Sequence, residues 1–79
     1  MADELLALVV VDPSVGHGQA YIRGTRVPVS VVLDCLADGM SGEEIVTEYP
    51  SLTVAGIRAA AAYGARLARE DLVPLHTVP

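Results

Sequence analysis

The chain has no tryptophan, no phenylalanine and no lysine, and it has a single cysteine. Each absence excludes something. With Tyr21, Tyr49 and Tyr63 as the only aromatics, a core must be assembled from Val, Leu, Ile and Ala. Such side chains bury modest areas, at about 25 cal/mol per Å² of apolar surface. A 79-residue chain built this way is marginal alone, so a homodimer that shares apolar surface is expected. The lone Cys35 excludes an internal disulfide and fits a reducing, cytoplasmic setting. All five cations are arginines, set against ten acids for a net charge of −5. That balance argues against general affinity for polyanions and leaves only a local basic stripe as a route to nucleic acid. Asp3 and Glu4 stand where a secretory leader would carry basic residues. No apolar run approaches a bilayer span, so no membrane association is expected.

What is present reads as one domain over residues 1–72 and an extended or disordered tail over 73–79, where two prolines interrupt any helical period. Residues 5–11 form an apolar run, β-branched at its end and stopped by Asp12-Pro13, which predicts a strand near 8–11. The following loop is dense in turn formers, and a second strand near 19–23 would close a hairpin. From Val29 the period changes. Val29, Val32, Leu33 and Leu36 fall at helical spacing, and Gly39 suits the position after a helix end, predicting a first helix at 29–38. Ser41 and Glu44 form a capping-box pattern for a second helix at 42–49, stopped by Pro50. Thr53 caps a third, alanine-rich helix reaching about Glu70, with Ile57, Ala60, Ala61, Gly64, Leu67 and Ala68 on its inner face.

The expected fold is therefore mostly α: a homeodomain-like three-helix bundle with a helix-turn-helix, preceded by a short N-terminal β-hairpin. On the third helix Ala55, Arg58, Ala62, Arg66 and Arg69 share an arc of about 80° opposite the core face. Small Ala55 and Ala59 would let the helix approach a groove, and Thr53 is a candidate phosphate ligand. The competing reading of this stripe is a solvated helix face whose arginines pair with Glu70 or Asp71. Arg23-Gly24-Thr25-Arg26-Val27-Pro28 also admits two readings. Two cations around a glycine can form a phosphate-binding turn, with Arg23 on DNA. Alternatively Gly24 makes a sharp structural turn, and Arg26 pairs with Glu44 or Glu48 to lock hairpin onto helices. His17 and His76 lack metal-ligand spacing, Cys35 reads as a small buried side chain, and no catalytic constellation or cofactor loop stands out. The segment Leu5–Val11 is more apolar than a hairpin over three short helices needs, and is expected to pair with its own copy.

Taken together, Asp12-Pro13, Tyr21-Ile22-Arg23-Gly24-Thr25-Arg26-Val27-Pro28-Val29, Leu36-Ala37-Asp38-Gly39-Met40-Ser41, Glu44-Ile45, Tyr49-Pro50-Ser51-Leu52-Thr53 and Ile57-Arg58-Ala59-Ala60 resemble the bacterial domain-of-unknown-function family 433. Some of its members look like VapB-type antitoxins. The resemblance covers about residues 8–68 and implies a dimeric trihelical fold with an N-terminal hairpin. It also implies pairing with a PIN-like ribonuclease toxin and autoregulation through operator DNA. A different class of function, an acidic protein-interaction module that masks a partner without touching DNA, fits the net charge.

Overall fold

The computed structural model describes residues 2–14 and 16–70. The predicted tail, His76 and the suggested partner Asp71 lie outside the described residues. The described residues are mostly helical, with one two-stranded antiparallel hairpin and four helices. These are α1 (Ala2–Leu6), β1 (Val9–Val11), β2 (Ala20–Ile22), α2 (Val29–Ala37), α3 (Gly42–Glu48) and α4 (Val54–Glu70). The predicted first, second and third helices are α2, α3 and α4.

β1 and β2 pair in the register Val9–Ile22, Val10–Tyr21 and Val11–Ala20. The loop between them carries a 3-10 turn in which His17 and Gly18 both take positive φ, 59° and 80°. His17 is exposed there, as a loop residue should be.

The segment after β2 shows why the Arg-Gly-Thr-Arg-Val-Pro string has its composition. Ile22 O accepts from the Thr25 amide at 3.0 Å across a tight turn. Gly24 sits at its third position with φ +79°, while Arg23 is not among the positive-φ residues, which defines a type II turn. The Thr25 hydroxyl then donates to Ile22 O at 2.7 Å and accepts from the Val27 amide at 3.0 Å. The Ile22 amide in turn donates to Val27 O, so the chain returns alongside β2 as far as a bridge between Tyr21 and Pro28. Pro28 is extended (φ −64°, ψ 147°) and immediately precedes α2, whose Val31 and Val32 amides donate to its carbonyl.

The ends of the next two helices follow from local chemistry. α2 stops at Asp38 and Gly39. The Gly39 amide donates to Leu36 O and the Met40 amide to Cys35 O, the paired bonds of a Schellman motif, with Gly39 at φ +86°. α3 begins with the anticipated capping box. The Glu44 amide donates to Ser41 Oγ at 3.1 Å, and the Ser41 amide donates to Glu44 Oε1 at 2.8 Å. Thr53 caps α4 by accepting from the Gly56 amide at 3.0 Å.

The core is aliphatic, as the missing aromatics require. Ile22, Val27, Val29, Val32, Ile45, Leu52, Ile57 and Ala60 form one buried cluster, with Ile45 and Val32 wholly enclosed. Cys35, Tyr49 and Tyr63 pack partly buried against it.

Two expectations need correction. α1 was not foreseen: residues 2–6 are helical and pack along α4, where only a strand had been expected from the apolar run. The inner face of α4 is also rotated. Ile57 and Ala60 are buried as expected, but Ala61, Leu67 and Ala68 are exposed, whereas Gly56 and Ala59 are buried. The reason is positional: the hairpin and α1 cover the side of α4 that a three-helix arrangement would leave open. Ala59 therefore cannot serve as an approach point for a groove.

Candidate nucleic-acid interface

α3 and α4 are joined by the short turn from Tyr49 to Thr53, where the Leu52 amide donates to Tyr49 O at 2.9 Å. α4 runs for 17 residues, about 25 Å. Arg58, Arg66 and Arg69 are all exposed on it, together with Ala55. The side of α4 opposite the core is thus an arginine face, with small residues between the cations.

α1 borders this face at its N-terminal end. Glu4, Leu5 and Leu8 meet Ala55 and Arg58 across an open cleft of about 300 Å³. Any ligand reaching Arg58 meets α1 and the Glu4 carboxylate on one flank. Thr53 is exposed, and its hydroxyl oxygen is engaged as the helix cap. A hydroxyl carries one donor besides its acceptor pairs. Thr53 can therefore cap α4 and donate to an anion at once.

The remaining arginines divide. Arg23 is tied to the N-terminal segment: its Nε donates to Ala7 O at 3.1 Å, and its amide to Leu8 O at 2.7 Å. It lies on the hairpin and works as a strut for the turn that follows α1. Arg26 corrects the ion-pair reading. It is exposed and bonded to none of the described residues. Of its proposed partners, Glu44 is held by Ser41 in the capping box. Gly24, Thr25 and Pro28 make the structural turn, so the string's order comes from Thr25 hydrogen bonds and not from an Arg26 ion pair.

Charge is segregated by element. α2 and α3 carry Asp34, Glu43, Glu44 and Glu48, with Asp38 at the C-cap of α2, all exposed and without an intervening cation. α4 from Val54 to Arg69 carries three arginines and no acid. The Glu44 carboxylate is held below its ordinary range by the Ser41 amide, with the Ser41 hydroxyl adding to the effect. Asp12 is lowered likewise by the hydroxyl and then the amide of Ser14, which both donate to its Oδ1. Among the described residues no cluster of His, Cys, Asp and Glu could hold a metal ion, and no helix is long and apolar enough to cross a membrane.

The structure is that of a small, mostly helical protein in which a hairpin leads through a Thr-bonded type II turn into the helices. The chain belongs to the family of proteins of unknown function DUF433, whose model matches residues 9–64. It is similar to the crystal structure of a DUF433 member protein from Anabaena variabilis ATCC 29413, solved at 2.00 Å. The two are 31% identical with a TM-score of 0.73, and the match covers 86% of this chain and 67% of that one. No curated protein matches the chain.

Proposed function

We propose that the chain is a cytoplasmic DNA-binding antitoxin and autoregulator of VapB type. In this reading α3, the turn at Tyr49–Thr53 and α4 are a homeodomain-like helix-turn-helix, and α4 enters the major groove of operator DNA. The observation that carries the reading is the exposed Arg58, Arg66 and Arg69 on a helix that carries no acid from Val54 to Arg69, in a protein whose other helices carry most of the negative charge. Arg58 lies in the N-terminal part of α4, the part a helix-turn-helix presents to base edges, where an arginine can hold guanine with two hydrogen bonds. Arg66 and Arg69 fall further along, where phosphates are in reach, and Thr53 offers a hydroxyl to the backbone. Neutralisation of a PIN-like ribonuclease toxin completes the reading through the family resemblance.

Fluorescence anisotropy with the DNA upstream of the chain's own gene tests it. The Arg58→Ala, Arg66→Ala, Arg69→Ala triple variant is expected to lose operator affinity. Unchanged affinity would reject α4 as the contact.

A second reading has its own support. The exposed carboxylates of Asp34, Asp38, Glu43 and Glu48 suit a basic partner protein, such as the RNA-binding surface of a ribonuclease. In that case neutralising these acids would abolish partner binding, and the arginine variant would have no effect on it.

A further inference from the structure

Tyr63 and Leu67 lie one turn apart on α4 and form a ridge between two apolar hollows. On one side Leu6, Val9, Val11 and Arg66 complete a hollow of about 330 Å³. On the other, Ala20, Val29, Leu33 and the polar Gln19 and Ser30 complete one of about 270 Å³. Two of the most exposed large aliphatic side chains stand here, Val11 at 54% and Leu67 at 45%.

We propose that this ridge and its hollows are the docking site for a second copy of the chain, related by a two-fold axis. Leu67 of each copy enters a hollow of the other. This inference is independent of the DNA-binding reading.

Three observations favour a second copy as the occupant. The first is shape. A two-fold contact uses the same patch on both sides, so the patch must complement itself. A ridge flanked by hollows of comparable size does so, because each copy offers both the insert and the receptacle. An i, i+4 pair such as Tyr63 and Leu67 is also the ridge that helices use in close packing.

The second is charge. Two copies each carrying −5 repel across most of their surfaces. Among the described residues, no carboxylate lines either hollow, and the only charged lining residue is Arg66, at the rim. This is a face on which two acidic bodies can meet without opposing their carboxylates.

The third is the size of the core. Its largest wholly enclosed side chains are one isoleucine and one valine. A domain of this size with so little enclosed bulk gains by sharing apolar surface. The hollows also use α1 and β1, so they place the contact on a wider surface than the strand edge alone.

Sedimentation velocity on the full chain tests the proposal. The wild type is expected to sediment as a dimer at micromolar concentration. Leu67→Lys should self-associate about 30-fold or more weakly, the scale for removing one buried leucine from an interface, with unchanged helical circular dichroism. Val11→Lys, on the opposite wall, should do the same and carries the test if Leu67→Lys fails to fold. Val54→Lys alters an equally exposed apolar residue that lines neither hollow, and should remain dimeric. A wild type that stays monomeric at high micromolar concentration overturns the proposal, as does undiminished association of both hollow variants. A chain shortened after Glu70 that is monomeric like its parent but melts earlier also overturns it, by assigning the hollows to residues 71–79.

Discussion

The Arg23 guanidinium donates from Nε to the carbonyl of Ala7, 3.1 Å away, and so joins the turn after β2 to the segment between α1 and β1. The Arg23 amide reinforces the link by donating to Leu8 O. One residue thus fixes where the N-terminal helix leaves the hairpin, and α1 in turn flanks Arg58 on α4.

Arg23→Ala is expected to loosen α1 without unfolding the domain. The side chain is exposed, so the global loss should stay below about 1 kcal/mol. Amide hydrogen exchange should accelerate over residues 2–8 and stay unchanged in α2 and α3. Uniform exchange across the chain would reject the strut.

The Thr25 hydroxyl makes two backbone hydrogen bonds that valine cannot make. Thr25→Val should lower stability by about 1–3 kcal/mol in thermal or denaturant unfolding. Gly24→Ala meets no atom near the added Cβ, so its effect isolates the positive φ and should be about 1 kcal/mol. Arg26→Ala should be near neutral, since Arg26 is bonded to none of the described residues. A large loss there would restore the ion-pair reading.

Two glycines on α4 should respond oppositely to alanine. At Gly56 an added Cβ would lie 3.1 Å from Cγ2 of Ile22, a core residue only 3% exposed that has no room to retreat. Gly56→Ala is expected to destabilise by about 1–3 kcal/mol. At Gly64 the contact is also 3.1 Å, but to Cδ1 of the half-buried Leu33, which can change rotamer. Gly64→Ala should therefore be neutral or gain up to about 1 kcal/mol from helix propensity. Equal losses at both positions would refute the distinction.

The capping box predicts a pH dependence. Hydrogen bonds from Ser41 lower the Glu44 pKa in the folded state. A lowered carboxylate stabilises the fold while ionised in both states, and this contribution is lost as pH falls through the folded value. Glu44→Ala, which removes the carboxylate, should lower stability near neutrality and approach the parent in acid. Ser41→Ala keeps the amide that bonds the carboxylate and loses only the cap of the Glu44 amide, about 1 kcal/mol at every pH. Asp12, lowered by Ser14, contributes with the same sign in the same range. A Glu44→Ala stability that runs parallel to the parent across the acid range would show that the carboxylate bond does not matter.

If α4 reads operator DNA, Arg58 should differ from its neighbours. Arg58→Ala should lose about 1–3 kcal/mol of affinity and blunt sequence preference. Arg66→Ala and Arg69→Ala should weaken all sequences alike and each reduce the salt slope by about one. Glu4→Gln should raise affinity, because it removes the carboxylate flanking Arg58. A salt titration of each variant separates these effects.

Helices α2 to α4 were legible because their signals are local. The period of Val29, Val32 and Leu33, the Ser41–Glu44 box and the Thr53 cap need no tertiary information. The hairpin was legible from its turn-rich loop. α1 was not, because residues 5–11 are an unbroken apolar run, which periodicity cannot divide between helix and strand. That omission carried over to α4, where the buried side is set by which elements pack on it, so Ala59 was read as open. Arg26 was misread for a related reason: charge spacing suggests partners, but Glu44 already had one within its own helix. Of the site itself, the exposed Arg58, Arg66 and Arg69 were visible from helical geometry, whereas the flanking Glu4 depends on a fold-back over more than fifty residues.

The return of the chain alongside β2 bears on how the protein avoids fibrous self-association. A sheet recruits further strands through rows of unsatisfied amides and carbonyls. On the outer side of β2 the Ile22 amide is already bonded to Val27 O, and the facing position opposite Tyr21 is Pro28, which has no amide to offer. Growth in that direction is stopped by the molecule's own backbone. Among the described residues only β1 remains as an edge, and at three residues it is too short to template an extended ribbon. The Arg-Gly-Thr-Arg-Val-Pro turn therefore serves as a terminator of the sheet as well as the lead into α2, and lengthening the hairpin without it should produce a chain that aggregates.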